Sequence, residues 1–349
     1  MYLTSDQRVA ILLHKGIRGD HGKTGLTLLR YGEATVVAVI DKDCAGESLS
    51  ELTGINCNAP IVDSVSSALA YNPTILAIGI APSGGRLPEV WWQEVKQGIA
   101  AGLSVYNGLH TPMASDPELR ELLQPNQQIW DIRQEPQDLG IGKAQARSLS
   151  CQRILTVGTD MSVGKMSTSI EFHRAACRKG IKSKFLATGQ AGLMIAGDGI
   201  PLDAIRVDFA AGAVEQIVMK FGNDYDLLII EGQGSLIHPG STATLPLIRG
   251  TQPTGLIVVH RAGQRHIRHC PDVLIPPLPE VITLYETVAR AGGAFAPIPV
   301  VAIALNTRHL PEKKAQDAIA QVQDETGLPC TDVVRFGADL LVDPVLKLL

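Results

Sequence analysis

A glycine-bounded loop followed by a lysine is the stretch of the sequence best suited to chemistry. Gly158 and Gly164 enclose five residues, and Lys165 follows directly. The mostly apolar residues 154–157 predict a buried strand before the loop, and a helix is predicted to begin near Lys165. Strand, glycine loop, lysine and helix in this order are typical of a phosphate-binding loop (P-loop). In such a loop the backbone N–H groups, the helix N-terminus and the lysine ammonium group together hold phosphate.

The loop departs from the usual P-loop pattern in two places. That pattern has four residues between its glycines and a Ser or Thr directly after the lysine. Here five residues lie between the glycines, Met166 follows the lysine, and Ser167 and Thr168 come one and two positions late. A plain strand–turn–helix with a chance Gly-Lys pair is the alternative. The residues that we predict to bind phosphate are Gly158, Thr159, Asp160, Ser162, Val163, Gly164, Lys165, Met166 and Ser167.

An acid ends another apolar run in the same half of the chain. Residues 227–230 are apolar and are followed by Glu231 and a glycine turn. Because a parallel sheet gathers the carboxyl ends of its strands at one edge, we expect Glu231 to lie near Lys165. A carboxylate in that place can hold a magnesium ion, directly or through water. The alternative is a solvated carboxylate at a strand end.

A dense group of basic and histidine side chains follows the apolar residues 255–259. Such a group suits anionic partners that carry phosphate or carboxylate, and a solvated basic turn is the alternative. Its spacing does not make a convincing zinc site. Its members are His260, Arg261, Arg265, His266, Arg268 and His269.

The elements around these loops predict an α/β protein of two domains. Apolar strands alternate with helical stretches in both halves, which is typical of parallel sheets covered by helices. We expect a Rossmann-like parallel-sheet domain over residues 1–140 and a P-loop NTPase-like α/β domain over residues 150–349, with a Gln-, Pro- and charge-rich linker at about residues 135–150. Asp41, directly after a strand, could bind a ribose hydroxyl, but no G-x-G-x-x-G motif accompanies it. A ligand-binding and a purely structural N-terminal domain both stay open.

Composition and charge narrow the class of protein. The 349 residues are 45% hydrophobic and 19% charged, as in ordinary globular α/β proteins. The net charge of −4 and the aromatic content of 4% disfavour nucleic acid as a partner. Six dispersed cysteines without a C-x-x-C motif suit a reducing compartment. With no signal-peptide pattern and no apolar run of membrane-spanning length, we expect a cytoplasmic homo-oligomer that acts on a small molecule and has no membrane partner.

The C-terminal half resembles dethiobiotin synthetase and its class of P-loop enzymes. Residues 158–165 resemble that enzyme's modified P-loop, which also has five residues between its glycines. Residues 228–234 resemble its acidic strand end, and residues 302–306 resemble its late strand that ends in Asn. The resemblance implies ATP as the ligand, with Lys165 on the phosphates and Glu231 near magnesium. The family's Thr after the lysine is absent here. Ser167 or the residue after it would then have to supply the oxygen ligand to magnesium, or no metal binds there.

Over nearly its full length the chain resembles the DgcN-like D-glutamate N-acetyltransferases, a two-domain bacterial family long catalogued as a domain of unknown function. The resemblance implies acetyl transfer from acetyl-CoA to the amine of D-glutamate, with the P-loop holding phosphates of the cofactor. The motifs that carry it are residues 40–46, 158–165, 188–192 and 231–235 and the pair His238-Pro239. Candidates for the general base of this reaction are Glu231, Asp208 and His238. Candidates for pairing with the substrate carboxylates are Arg206, Arg261 and Arg265.

Three functions stay open at this point. The first is the acetyltransferase, the second is an ATP- and magnesium-dependent ligase or kinase resembling dethiobiotin synthetase, and the third is a nucleotide-binding regulatory protein. Lys165 and Glu231 favour a phosphate ligand in all three. Met166 disfavours an ordinary magnesium–ATP site, because its side chain has no oxygen for the metal. The cofactor is therefore predicted to be acetyl-CoA, or ATP with Mg²⁺.

Overall fold

The computed structural model describes residues 2–82 and 85–347, and it divides into two compact units. The first unit runs up to Glu135 and includes Gln190–Gly197, and the second comprises Pro136–Gly189 and the chain from Asp198 onward. Each unit contains one parallel six-stranded sheet with helices, which confirms the predicted α/β class. The exact limits of the two predicted domains stay a prediction.

The sheet of the first unit has the strand order β3-β2-β1-β4-β5-β6. Its strands are β1 (Arg8–Leu12), β2 (Thr35–Ile40), β3 (Ile61–Val62), β4 (Ile75–Ile78), β5 (Ser104–Asn107) and β6 (Ile129–Asp131). Its helices are α1 (Lys23–Tyr31), α2 (Leu49–Thr53), α3 (Val65–Ala68), α4 (Glu89–Ala100) and α5 (Pro117–Leu122). The central strand β4 is apolar and buried along its whole length, as a strand covered by helices on both faces must be.

At the carboxyl edge of this first sheet, the polar side chains of Asp41 and His14 are already hydrogen-bonded to other residues of the first unit. Asp41 follows β2, is 1% exposed, and accepts hydrogen bonds from the backbone N–H groups of Lys15 (3.1 Å) and Ile17 (3.3 Å). The neighbouring His14 lies 2.8 Å from Glu94 Oε1 through its Nε2 atom. The carboxylate that the sequence suggested as a ribose ligand is therefore occupied by the backbone of the loop after β1.

The sheet of the second unit has the order β14-β13-β10-β7-β9-β8, and a separate antiparallel hairpin is formed by β11 and β12. The strands are β7 (Gln152–Gly158), β8 (Ser183–Leu186), β9 (Leu227–Ile230), β10 (Gly255–Arg261), β11 (His266–Ile267), β12 (Cys270–Leu274), β13 (Val300–Asn306) and β14 (Cys330–Thr331). The helices are α6 (Lys165–Arg178), α7 (Gln190–Ala196), α8 (Val207–Phe221), α9 (Thr244–Thr251), α10 (Leu278–Val288), α11 (Glu312–Thr326) and α12 (Asp339–Leu346). Of these helices, α7 belongs to the first unit.

Strand β7 lies in the middle of the second sheet, between β10 and β9. Its side chains alternate between two hydrophobic cores: Leu155 and Val157 face one core, and Ile154 faces the other. Burial on both faces explains why residues 154–157 are apolar in the sequence except for Thr156. At the start of the strand, Arg153 is 4% exposed and donates to the backbone carbonyl of Gln252 at 2.8 Å. The strand is thus fixed at its beginning, and its far end carries the glycine loop.

The role found for Asp41 leads to the first prediction. Replacing Asp41 by Asn keeps the shape but removes the charge that the backbone N–H groups face, so we expect the free energy of unfolding to fall by about 2 kcal/mol. Urea unfolding measures this change. Asp43 is the matched control because it is an exposed acid of the same loop, and Asp43→Asn should change the free energy by less than about 0.5 kcal/mol. Equal effects of the two substitutions would contradict the structural role of Asp41.

Candidate functional site

The glycine loop has the conformation of a phosphate cradle with one extra residue. β7 ends at Gly158 and α6 begins at Lys165. Two loop residues lie in the left-handed region, Ser162 with φ 55° and Gly164 with φ 123°. The N–H groups of Ser162, Val163 and Gly164 donate to no other described residue. These amides, together with the amides of the first helical turn, are available to an anion.

Lys165 is buried at the start of α6, with 6% of its surface exposed. Its ammonium group donates to the backbone carbonyl of Asp160 in the same loop at 2.7 Å. The backbone after β9 lies directly against the lysine stem, since a Cβ atom added to Gly232 would be 3.0 Å from Lys165 Cδ and 1.7 Å from Thr156 O. A glycine is therefore required at position 232, and the acidic strand end lies beside the P-loop lysine.

Glu231 is buried to the same degree as the lysine, with 6% exposed. Its Oε2 atom accepts the backbone N–H of Thr188 at 3.0 Å, and its carbonyl accepts the Thr188 hydroxyl at 2.9 Å. Gly189 comes next in the chain, and a Cβ atom there would be 3.7 Å from Glu231 Oε1. The carboxylate thus faces the glycine turn after β8. The alternative of a solvated strand-end carboxylate does not describe it.

Asp160 connects the P-loop to the chain that enters the β11–β12 hairpin. The residue is fully buried, and its Oδ2 atom accepts hydrogen bonds from Gln264 Nε2 at 2.6 Å and from the backbone N–H of Arg268 at 2.7 Å. Its Oδ1 atom accepts from the backbone N–H of Met161 at 2.6 Å. The sequence indicated Asp160 as a phosphate-loop residue. In the structure its side chain holds the loop backbone at Met161 and also helps to position residues 264–268.

His260 belongs to the core and not to a basic surface. It is 8% exposed, and its Nδ1 atom lies 2.8 Å from Thr159 Oγ1. Burial lowers the pKa of His260 from an ordinary value near 6.5 to about 4, because the charged imidazolium would lose its water. The imidazole is therefore neutral at neutral pH. His260 therefore does not belong to the basic cluster that the sequence suggested.

Two further side chains hold the loop, and sequence reasoning did not assign them to the site. The hydroxyl of Tyr285 donates to Gly158 O at 2.7 Å and accepts the backbone N–H of Leu236 at 3.2 Å. Asn306 Nδ2 donates to Val163 O at 2.9 Å. The sequence did contain a signal for Tyr285, because it is a single tyrosine within a largely apolar helix. A buried phenol hydroxyl needs a polar partner.

The donors near Lys165 do not form an evident magnesium site. Met166 is buried where a P-loop normally has its metal-binding hydroxyl, and Ser167 is turned from it by about 100° around the helix axis. The hydroxyl of Thr168 donates to Gly164 O at 3.1 Å. Among residues 2–82 and 85–347, no group of three His, Cys, Asp or Glu side chains could hold a metal ion. Magnesium at Ser167 and Glu231 stays a prediction.

A cleft of about 350 Å³ opens between the end of β10, the β11–β12 hairpin and the loop after β13. We call it the basic cleft. It is lined by Arg261, Ala262, Gly263, Gln264, His266, Arg268 and His309. Three of the predicted cluster residues lie here, and His309 joins them from a distant part of the chain. Arg261 also reaches the P-loop, with its Nη2 atom 3.5 Å from Ser162 O.

The other predicted site residues lie in different surroundings. Arg206 and Asp208 are exposed at the start of α8, where the Arg206 guanidinium lies 4.8 Å from the centre of the Phe209 ring. Arg265 is exposed before β11 and is not among the residues that line the basic cleft. His238 accepts the backbone N–H of Gly240 at its Nδ1 atom (3.0 Å).

The hydrogen bond to Gly240 bears on the predicted role of His238 as a base. An imidazole nitrogen that accepts a hydrogen bond carries no proton, so the neutral ring carries its proton on Nε2. That atom lies 3.9 Å from Asp160 Oδ1. In this arrangement His238 is suited to donate a hydrogen bond rather than to accept a proton through Nε2.

The spacing G-x5-G-K also occurs in the first unit, at Gly16, Gly22 and Lys23. There the two glycines pack on each other, since a Cβ atom on Gly22 would lie 2.1 Å from Gly16 O. Lys23 is exposed, and the hydroxyl of Thr24 accepts from Gln190 Nε2 at 3.1 Å. Close packing of the turn accounts for both glycines here, so the spacing alone does not define a phosphate site.

Comparison with known families agrees with the two-unit architecture. Residues 140–342 match the P-loop domain of the domain of unknown function DUF1611, and residues 42–135 match its Rossmann-like N-terminal domain. The chain therefore belongs to the DUF1611 family. A crystal structure of a DUF1611 family protein from Anabaena variabilis is 64% identical, with a TM-score of 0.96 over 98% of this chain and 100% of that chain.

Two curated relatives have a named activity. A protein of Tritonibacter scottomollicae named D-glutamate N-acetyltransferase is 36% identical over 296 residues, which is 84% of this chain and 87% of the relative. A protein of the same name from Pseudoalteromonas is 33% identical over 281 residues, or 80% of this chain and 83% of the relative. The predicted family is confirmed. The names of these two relatives also confirm the prediction of an N-acetyltransferase enzyme. In the described part of the chain, no helix is long and apolar enough to cross a membrane.

The lowered pKa of His260 predicts how stability depends on pH. The unfolded chain takes up a proton at this residue below about pH 6.5, whereas the folded chain does so only near pH 4. The stabilisation is thus fully present above pH 6.5 and is lost as the pH falls towards 4, by up to about 3 kcal/mol. In His260→Gln this part of the pH dependence should disappear. Urea unfolding at a series of pH values measures it.

The exposed His21 supplies the control, because His21→Gln changes a histidine outside the core. This variant should retain the pH dependence of the unsubstituted protein. If His260→Gln kept the same slope between pH 4 and 6.5, the neutral buried state of His260 would be wrong.

Proposed function

We propose that this protein transfers the acetyl group of acetyl-CoA to the amine of D-glutamate or a similar amino acid, and that the P-loop anchors phosphates of the cofactor. The observation that carries the proposal is the P-loop itself. It keeps the cradle and the buried Lys165, but it has Met166 where a magnesium–ATP site needs a hydroxyl. An anchor of this kind suits a cofactor whose phosphates are held but not transferred. The names of the two curated relatives support the same reaction.

The acetyl transfer requires the protein to assist three steps. The amine must lose a proton before it attacks the thioester carbonyl carbon, the resulting oxyanion needs hydrogen-bond donors, and the thiolate of CoA must leave and be protonated. One C–N bond forms and one C–S bond breaks, so the products are the N-acetyl amino acid and free CoA. Neither ATP nor a redox partner is needed.

Among the three candidate bases, we favour Glu231. It lies at the end of β9 next to the P-loop lysine, and its carboxylate is shielded from water. Asp208 is an exposed acid in the first turn of α8, and the Nδ1 atom of His238 already accepts the backbone N–H of Gly240. Arg206 remains a candidate for pairing with a substrate carboxylate, because its guanidinium group can form paired N–H bonds to carboxylate oxygens.

The oxyanion can be stabilised by backbone amides of the glycine turns. The amides of Ser162, Val163 and Gly164 belong to the phosphate cradle, while Gly189 lies beside the carboxylate of Glu231. The N–H group of Gly232 already donates to the Thr156 hydroxyl at 2.9 Å. Fixed backbone donors stabilise developing charge without having to reorient during the reaction. The amide of Gly189 is thus the candidate donor to the reacting carbonyl, separate from the amides that hold the cofactor phosphates.

We further propose a cytoplasmic protein that forms a symmetric homo-oligomer, with domains at about residues 1–140 and 150–349 and a linker at about residues 135–150. The cysteines within the described residues are all free thiols, which suits a reducing compartment. The net charge of −4 supports a small-molecule substrate rather than nucleic acid. Analytical ultracentrifugation measures the oligomeric state.

The reaction itself is tested by incubating the purified protein with D-glutamate and either acetyl-CoA or Mg-ATP. We expect release of free thiol with acetyl-CoA, in equal amount to N-acetyl-D-glutamate, because the thioester alone supplies the acetyl group. Thiol titration and mass spectrometry measure both products. L-Glutamate is the control for stereochemistry. Production of ADP without thiol release would instead establish the ligase or kinase.

Lys165→Ala tests the anchor. The substitution removes one charge-assisted contact with a phosphate, so we expect the dissociation constant for CoA to rise roughly 10- to 100-fold. Isothermal titration calorimetry measures the constant, and a circular dichroism spectrum checks that the variant is folded. Lys313→Ala on the exposed face of α11 is the matched control and should leave the constant unchanged. Unchanged affinity in Lys165→Ala would remove the P-loop from the proposal.

A further inference from the structure

The edge of the second sheet has two chemically different sides. The strand order places β10 on one side of β7 and β9 on the other. The basic cleft lies on the β10 side, where Arg261 ends that strand. Glu231 and the turn at Gly189 lie on the β9 side. The P-loop after β7 separates the two, so an extended ligand held by its middle on the P-loop would reach both.

Coenzyme A has a matching order of groups. Its pyrophosphate lies between a ribose that carries a 3′-phosphate and an arm that ends in the thioester. We propose that the basic cleft binds the 3′-phosphate of the cofactor while the P-loop holds the pyrophosphate. The thioester arm then runs to the β9 side, towards Glu231. This inference rests on the proposed function, since it assumes that the ligand of the P-loop is CoA.

The basic cleft is continuous with the P-loop through three contacts. Gln264 and the backbone of Arg268 both donate to the buried carboxylate of Asp160, at 2.6 and 2.7 Å. Arg261 Nη2 lies 3.5 Å from the carbonyl of Ser162. The cleft therefore begins at the outer side of the loop whose inner amides form the cradle. A phosphate one sugar away from the pyrophosphate falls within this neighbouring surface.

Charge makes the cleft suitable for a phosphate monoester. Arg261 and Arg268 are permanently charged, and His266 and His309 add two further nitrogen donors. None of the described residues that line the cleft carries a carboxylate, and Arg261 forms no ion pair with any described residue. Guanidinium groups bind phosphate oxygens through paired N–H bonds. The 3′-phosphate monoester is the part of CoA that needs such a partner, and ATP carries no phosphate at that position of its ribose.

The buried carboxylate of Asp160 is compatible with a phosphate bound in the basic cleft. A carboxylate within a phosphate loop would ordinarily repel the ligand. In this chain its oxygens accept hydrogen bonds from Met161, Gln264 and Arg268, and the residue has no exposed surface. The same carboxylate holds the side chain of Gln264 and the backbone of Arg268, two residues that line the cleft. The acid of the loop thus helps to position a neighbouring anion site.

The decisive experiment compares CoA with 3′-dephospho-CoA by isothermal titration calorimetry. For the unsubstituted protein we expect CoA to bind roughly 10- to 100-fold more tightly, because the dephospho compound lacks the group that the cleft holds. Arg261→Gln and Arg268→Gln should each lose most of this preference: their affinity for CoA falls roughly tenfold or more, while their affinity for 3′-dephospho-CoA changes less than about twofold. Arg308→Gln, an exposed arginine outside the cleft lining, is the matched control and should retain the preference.

Three other outcomes would contradict the 3′-phosphate site, and each of them leads to a different conclusion. Equal binding of CoA and 3′-dephospho-CoA by the unsubstituted protein would overturn the 3′-phosphate site and leave the acetyltransferase intact. This comparison needs no variant, so a folding defect in a variant does not obscure it. Variants that raise the KM for D-glutamate without affecting the preference would assign the cleft to the amino acid. No binding of either compound, together with binding of ATP, would overturn the proposed function itself.

Discussion

The buried carboxylate of Asp160 is the interaction on which the arrangement of the site depends. A carboxylate without exposed surface is strongly destabilising unless hydrogen-bond donors surround it. Here the donors come from the P-loop itself and from residues 264–268, which lie more than 100 positions further along the chain. The loop and the residues leading into β11 therefore hold one another in place. Losing that carboxylate would release the phosphate cradle and the basic cleft together.

Around this link, the central position of β7 gives the site its two sides. Its register with β10 places the P-loop beside the arginine-rich strand end, and its register with β9 places it beside Glu231. Neighbouring strands are only about 4.8 Å apart, so groups at three adjacent strand ends can act on one ligand. The buried lysine between them supplies a positive charge in a place where little water screens it. The sheet edge thereby separates a hydrated, basic region from a shielded, acidic one.

The substitution of a methionine at the position of the usual metal-binding hydroxyl changes what the P-loop can do. Met166 is 6% exposed and packs as an apolar residue at the start of α6. The loop keeps the amides and the lysine, which are the parts that bind phosphate, and it lacks the oxygen that positions magnesium for phosphoryl transfer. A fold that elsewhere serves phosphate transfer can in this way serve as an anchor only. Fold alone does not decide between these uses, because function resides in the site.

Much of the architecture follows from local patterns. The apolar runs that became β7, β9, β10 and β13 are recognisable because strands buried on both faces are apolar throughout. The α/β class and the P-loop follow from such runs and from a glycine loop that precedes a helix. The acid after β9 could also be placed near Lys165, because parallel strands end at a common edge. Asp41 shows where this reasoning fails: an acid at the right strand end serves its own loop, and only its contacts reveal that.

By itself, the sequence determined the two α/β halves, the phosphate loop with its unusual register, and the set of charged residues from which a site could be built. Each of these depends on neighbours in the chain, so local spacing suffices to find them. The tertiary structure alone decided which of the charged groups meet. It made His260 a neutral core residue by removing its water, added His309 to the basic cleft, and turned Asp160 towards the hairpin. These outcomes depend on burial and on contacts between distant segments, which no spacing within one segment can encode.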